Sequence, residues 1–249
     1  MNLDITGAKI YYVIPVLGGI PITETLVNTW VIMALIVGLC FFLTHDMTIK
    51  AVTKRQIIAE YIVTGVTKFV KESMGTRFES FAPFIAALFS LSAFSSLSGM
   101  LGVYAPTSDL STVLGWAVMV FVMITFTKIK TGGIKNYVTG FTQPIFVLTP
   151  FNLISEIATP ISMAFRHFGN IASGTIISAL VYGGLAALSH VIFGRLPGIL
   201  GDVLGEIPLL QLGIPAVLSI YFDLFSSILQ AFIFCMLTMM YIASAAEEA

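Results

Sequence analysis

Charged side chains are scarce in this chain, at 10% of 249 residues, where a soluble domain carries roughly 25%. With 57% hydrophobic residues and a mean hydropathy of +0.97, that scarcity excludes a soluble globular domain and leaves a polytopic membrane protein. The few charges balance, 12 basic against 13 acidic, which by itself says nothing about nucleic acid, and no basic run is suited to phosphate binding. Phosphate loops are missing: TGGIK (131–135) is not a P-loop, and no GxGxxG opens a helix. Any coupling to nucleotide chemistry must therefore happen on another chain.

Other absences narrow the field further. Cys40 and Cys235 lie in separate apolar stretches and read as small core hydrophobes, not as a disulfide or metal pair. His45, His167 and His190 show no ligand spacing and read as packing residues, so neither a cofactor nor a resident metal is expected. MNLDITGAKIYYVIPVLGG has no basic n-region before a cleavable apolar core, so the first span is expected to stay as an anchor. An inverted internal repeat of the transporter kind is absent as well.

What is present reads as an all-α fold in a single membrane domain, 1–249. After an outer N-terminal segment, 1–24, Thr25–Thr44 is long and apolar enough for a first span. The region 45–79 is the most polar, with Lys50, Lys54, Arg55, Lys68, Lys71 and Arg77. Inside it QIIAEYIVTGVTKFVKESMG sets apolar residues at helical spacing between charges, the pattern of a helix on the membrane surface. The second and third spans fall within 81–127, as Phe81–Val103 and Thr112–Thr127. Lys128, Lys130 and Lys135 follow, with Gly132 and Gly133 breaking the helix. By the positive-inside rule 45–79 and 128–135 are cytoplasmic, and the N-terminus and the 104–111 loop are outside.

The remainder, 141–246, is different. From Phe141 to Phe193 the apolar pattern runs for about fifty residues, roughly 75 Å as helix, against a hydrocarbon core of about 30 Å. Pro144, Pro150, Pro160 and later Gly183–Gly184 are expected to break it. Ile207–Ala246 is nearly as long and holds only Asp223 among charges. With RLPGILGDVLGE as the turn, the two form a steeply tilted or in-plane hairpin beside three upright spans. The acidic tail AAEEA is expected in the cytoplasm.

Arg166 is the residue that demands an explanation. No charge lies between it and Glu156 upstream or Arg195 downstream. Translocon scales put an arginine at a helix centre at about 2.5–3.5 kcal/mol unfavourable, so such a charge faces water or a carboxylate; the bland alternative is a guanidinium snorkelling to the interface. Ser162, Arg166, Asn170, Ser173 and Gly174 share one helix face, and Asp223, Ser226, Ser227 and Gln230 share another. An antiparallel hairpin brings the two stripes together. Ala164, Gly169, Ala172, Ser173 and Gly174 leave room for something to pack close to the guanidinium. No carboxylate lies one turn from Arg166, and Asp223 is two turns from Gln230. The partner carboxylate is therefore expected on another subunit.

These residues resemble a known family. FNLISEIATPISMAFRHFGN, Gln230 within LQAFIF, the tail after YIASA, and PTSDLS preceded by APFIAALFSLSAFSSLSG are similar to subunit a of bacterial F-type ATP synthases, from about Asn28 to the end. The resemblance implies a non-catalytic, multi-pass subunit of the bacterial plasma membrane that passes H+ or Na+ beside a rotating c-ring. Its partners would be the c-ring, the subunit b peripheral stalk and the remaining synthase subunits. Arg166 would match the essential arginine that meets each ring carboxylate, with Gln230 and Asn170 flanking it and Asp109 at the outer mouth. Relatives often carry a Glu/His pair lining the outer half-channel, where this chain has Thr175 and Asp223. A lone aspartate still relays protons or helps dehydrate sodium. Glu156 is expected to line the inner mouth, with Ser162 between it and Arg166. A second reading is a stand-alone secondary transporter using buried Arg166 to bind an anionic solute, and a third is a structural scaffold.

Overall fold

The computed structural model describes residues 8–15, 19–49, 53–143, 145–193, 218 and 220–247. The expected turn at 195–206, Pro144 and the start of the last apolar stretch at Ile207 lie outside the described residues. The fold is all-α and polytopic: five helices are long and apolar enough to cross a membrane. A short antiparallel hairpin, β1 (Ile10–Ile14) with β2 (Ile20–Thr23), precedes them. The sequence reading assigned no strand there. Its signal was present in IYYVI, a β-branched and aromatic run followed by glycines.

Helix α1 (Glu24–Thr44) leaves the hairpin directly and buries only Thr25 and Ile32, so most of its surface is left for lipid. Cys40 is exposed on it, and only Cys235 is a core residue. Helix α2 (Lys54–Met74) is capped by Thr53, whose Oγ1 accepts from Gln56 N, and stops at Gly75. Gly75 sits at φ +89, a backbone region that disfavours a Cβ. One side of α2 reaches the core through Val70 and Met74, while Ile57, Ile58, Tyr61 and Ile62 stay exposed. Helix α3 (Ala82–Leu97) has a proline in its first turn, where no helical N–H is lost.

Helix α4 (Leu110–Gly140) runs on through Lys128 and Lys130 and kinks at Gly133, at φ 80 and ψ 157. Helix α5 (Thr149–Phe193) is one continuous element of 45 residues with Pro160 inside it. The expected breaks at Pro160 and Gly183–Gly184 are therefore not breaks, and the helix starts at Thr149, with Pro150 in its first turn. A proline in a membrane helix is tolerated because neighbouring groups satisfy the freed backbone. A π-helical turn (Ile220–Phe225) leads into α6 (Ser226–Glu247).

Helix α6 is the centre of the bundle. Gln230, Phe234, Cys235, Thr238, Met239, Ile242 and Ala245 form its buried face at helical spacing. They meet Ile85 and Leu88 of α3, Val113, Ala117 and Val120 of α4, and Met163 and Ala164 of α5. Lipid is as apolar as leucine, so burial itself does little here and close packing holds the helices. The buried Ala82, Ala93, Ala117, Ala164, Ala231 and Ala245 supply that close approach.

The outer loop is tied to α1 by polar contacts. Asp109 caps α4: its Oδ1 accepts from Ser111 N at 3.0 Å and its Oδ2 from Thr25 Oγ1 at 2.9 Å. Asn28 Nδ2 donates to the Tyr104 carbonyl at 2.9 Å. Burial pushes the Tyr104 phenol above its ordinary value, and the Asp109 and Glu24 carboxylates push it the same way. Asp109→Ala removes both the cap and the tie to α1. The expected loss is about 1–3 kcal/mol, whereas Asp109→Asn keeps a cap acceptor and loses less. Thermal unfolding of the detergent-solubilised protein checks this, and equal midpoints for wild type and D109A would remove Asp109 from the stabilising contacts.

Candidate functional site

Helix α5 has two faces at the level of Arg166. Met163, Ala164 and His167 are buried against the bundle, while Ser162, Phe165, Arg166 and Ser173 are exposed. Arg166 thus points away from the bundle, within the apolar length of α5. Among the described residues, none of the ion pairs includes it. The small residues divide between the two faces. Ala164 and Gly174 are buried inside the chain, and a Cβ on Gly174 would touch Phe222 at 3.8 Å, so they serve hairpin packing. Ser162, one turn before the arginine, and Ser173, two turns after it, are the small residues left exposed on its side of the helix.

The two polar stripes meet one turn beyond Arg166. Asn170 Nδ2 donates to Gln230 Oε1 at 3.3 Å, and Ser226 Oγ donates to Asn170 Oδ1 at 3.1 Å. One asparagine thereby joins α5 to two successive turns of α6. Gln230 is only 4% exposed, so its amide is fixed by this contact. Asp223 is half-buried on the π-helical turn just ahead of Ser226. Such turns are rare and concentrate at functional sites. Thr175 Oγ1 donates to the Ile171 carbonyl at 3.0 Å, a bond within its own helix rather than to Asp223. Asp109 belongs to the α1–α4 contact already described.

Glu156 lies toward the other end of the bundle, where both of its carboxylate oxygens accept from Lys128 Nζ at 3.0 and 3.2 Å. Two cavities adjoin this ion pair. One, of about 160 Å³, is lined by Phe121, Thr159, Tyr241 and Ser244 as well as the pair. The other, of about 470 Å³, is lined by Asn136, Tyr137, Asn152 and Ser155 as well as the pair. Pro160 has no N–H for the Glu156 carbonyl, leaving one more backbone acceptor at this level. Ser155, Thr159, Ser162, Arg166 and Asn170 follow one another at steps of four, three, four and four residues, so they climb a single face of α5.

The stripe expected from the sequence begins at Ser162 and omits Ser155 and Thr159, although the same periodicity extends to them. In the sequence Lys128 reads only as a topological marker, since nothing there pairs residues 28 positions apart. His167 is a packing residue in the structure as expected, with its ring 6.1 Å from Trp116 and 5.5 Å from Phe234, edge to face. His45 and His190 are exposed and pack no core. Among the described residues no group of three His, Cys, Asp or Glu side chains is arranged to hold a metal ion.

Comparison with known proteins gives the family. The model of the family described as ATP synthase A chain matches residues 26–243. The chain belongs to the ATP synthase subunit a family. It is 32% identical over 227 residues to ATP synthase subunit a 1 of Crocosphaera subtropica, covering 90% of this chain and 87% of that one. Against ATP synthase subunit a of Legionella pneumophila (strain Paris) it is 30% identical over 228 residues, covering 91% and 88%. A shorter match, 35% over 166 residues, joins it to ATP synthase subunit a 2 of a Bradyrhizobium species, covering 66% and 74%.

As a subunit a, the chain is a multi-pass component of the membrane sector of a bacterial ATP synthase, and other synthase subunits are its partners. Within the chain, the Asn170–Gln230–Ser226 contact joins α5 to α6 one turn beyond Arg166. Asn170→Ala and Gln230→Ala are each expected to destabilise the hairpin. The double substitution should lose less than the sum, by about 0.5–1.5 kcal/mol of coupling. Thermal midpoints of the solubilised complex for the two single variants and the double test this, and strictly additive losses would mean the two side chains act independently.

Proposed function

We propose that this subunit a is the ion-translocating stator of the synthase, offering two aqueous half-channels to the carboxylates of a rotating c-ring. The observation that carries the reading is Arg166, exposed on the outer flank of the bundle within an apolar helix. A permanent charge in that position is costly against lipid. It is stabilised if an ionised carboxylate of a neighbouring subunit passes in front of it.

The physical chemistry of the exchange follows. A ring carboxylate facing lipid must be neutral, by protonation or by bound sodium. Opposite Arg166 the charged form is favoured, so the ion is released. The Arg166 guanidinium, a permanent charge, repels cations, which keeps the two half-channels from short-circuiting. Asn170 and Gln230 hold α5 in place as ring sites go by. On the inner side the route runs through the cavities at Glu156 and along Ser155, Thr159 and Ser162. On the outer side Asp223, with Thr175 nearby in the hairpin and Asp109 at the loop, supplies the acidic relay. One elementary charge crossing 100 mV releases about 2.3 kcal/mol, so several crossings drive one synthesis event on the catalytic subunits, and this chain itself catalyses none.

The proposal extends to topology and partners. The Lys-bearing end of α4 faces the cytoplasm, the β-hairpin and Asp109 face outside, and the C-terminus is cytoplasmic. The exposed surface of α1 is available to the membrane part of the b stalk. A stand-alone transporter binding an anionic solute needs its arginine in an enclosed pocket, and the exposure of Arg166 argues against that.

Ion-driven ATP synthesis by the whole complex in proteoliposomes tests the reading. Arg166→Ala is expected to abolish synthesis under both a proton and a sodium gradient while ATP hydrolysis by the catalytic part persists. The gradient that drives wild type identifies the ion. Normal coupling in R166A would sink the proposal.

A further inference from the structure

The Lys128–Glu156 pair has no part in the exchange at Arg166, yet it is placed where an ion on the inner route must pass. Both side chains are substantially buried, 24% and 17% exposed. They form a shared wall of the two cavities. No other charged side chain among the described residues lines either cavity. The surface pair Lys68–Glu72 looks different: its side chains are 74% and 66% exposed and 3.8 Å apart, a geometry of little energetic weight.

The consequence is electrostatic. A carboxylate alone in a narrow, partly desolvated passage attracts and retains cations, and a lone ammonium repels them. Each effect is stronger there than in bulk water because the effective dielectric is lower. Joined, the two cancel at a distance while still presenting oxygens and N–H groups to a hydrated ion. We infer that Lys128 is a conductance-setting residue of the inner half-channel: it neutralises Glu156 so that the transported cation crosses a dipolar throat without being held or turned back. This inference rests on the ion-path reading above. It adds to that reading a residue from outside the long hairpin and assigns it the charge balance of the passage.

The signature is a pair of opposite shifts, which a purely structural salt bridge does not give. ATP-driven pumping by the whole complex in proteoliposomes, with the catalytic part facing the medium, loads ions through the inner half-channel. The half-saturating concentration of the transported ion in that medium is the readout, with pH varied if the ion is the proton. Lys128→Gln is expected to lower the half-saturating concentration about fivefold, and Glu156→Gln to raise it by a similar factor, both estimates from one unit charge at short range. The double K128Q/E156Q should return to within about twofold of wild type. Raising a non-transported salt to 0.5 M, where the screening length is only about 4 Å, should shrink both single-variant shifts. The charge-swapped K128E/E156K keeps the pair and should stay near wild type.

Shifts of the two single variants in the same direction, or none at all, would overturn the inference and leave the pair as a structural tie between α4 and α5. Arg166→Ala in the same assay separates the two levels. If it abolishes pumping while the throat variants behave alike, only the role of Lys128 fails; if it pumps normally, the ion path itself fails.

Discussion

A guanidinium kept at membrane depth is the constraint around which the hairpin is organised. Its unfavourable solvation is tolerable only if α5 is held so that the charge meets a partner and not lipid tails. α5 has two unlike faces, and on the proposed path one of them answers that requirement. Met163, Ala164 and His167 lock one face into the bundle, and Arg166 is left on the other. Had the arginine been one residue further along, at the His167 position, it would be buried between the rings of Trp116 and Phe234.

Holding α5 against α6 is harder in lipid than in water, because no hydrophobic gain accompanies helix association. Two devices replace it. Alanines allow close approach, and Asn170 uses both ends of its amide to grip Ser226 and Gln230. An asparagine suits this position because a single side chain donates from Nδ2 and accepts at Oδ1. A serine would satisfy one contact and leave the buried Gln230 amide without its partner, which is costly in a medium that offers no water.

Much of this was legible in the sequence, and the residues show why. Arg166, Asn170, Gln230 and Asp223 stand out because polar groups in an apolar run are conspicuous and helical periodicity places them on shared faces. Three features were not legible. Pro160 misled, since proline breaks helices in water but is absorbed where a bundle surrounds it. The Lys128–Glu156 pair is a tertiary contact between separate helices, and a lysine after a span reads first as a topology signal. The π-helical turn at Asp223 has no recognised sequence mark; it is visible only as a local hydrogen-bond pattern. The β-hairpin was legible in principle, but the apolar run IYYVI reads ambiguously beside a membrane span.

The length of α5 bears on why an ion path here needs a moving partner. At 1.5 Å per residue its 45 residues extend about 67 Å, more than twice a hydrocarbon core of about 30 Å. Such a helix fits the membrane only if steeply tilted, some 60° from the normal if its whole length is to stay within the core. The polar steps from Ser155 to Asn170 then cover about 22 Å along the axis but only about half of that in depth. The displacement within the membrane plane is larger, roughly 19 Å. On the proposed path, an ion released near Arg166 from one side and an ion loaded from the other are offset laterally as well as in depth. No static pore joins two points offset in that way across a fixed positive charge. A carrier that moves sideways in the membrane, as a rotating ring of carboxylates does, joins them without exposing a bare charge to lipid. On the proposed path, the tilt that this length requires turns separation along a helix into the lateral offset that rotation requires.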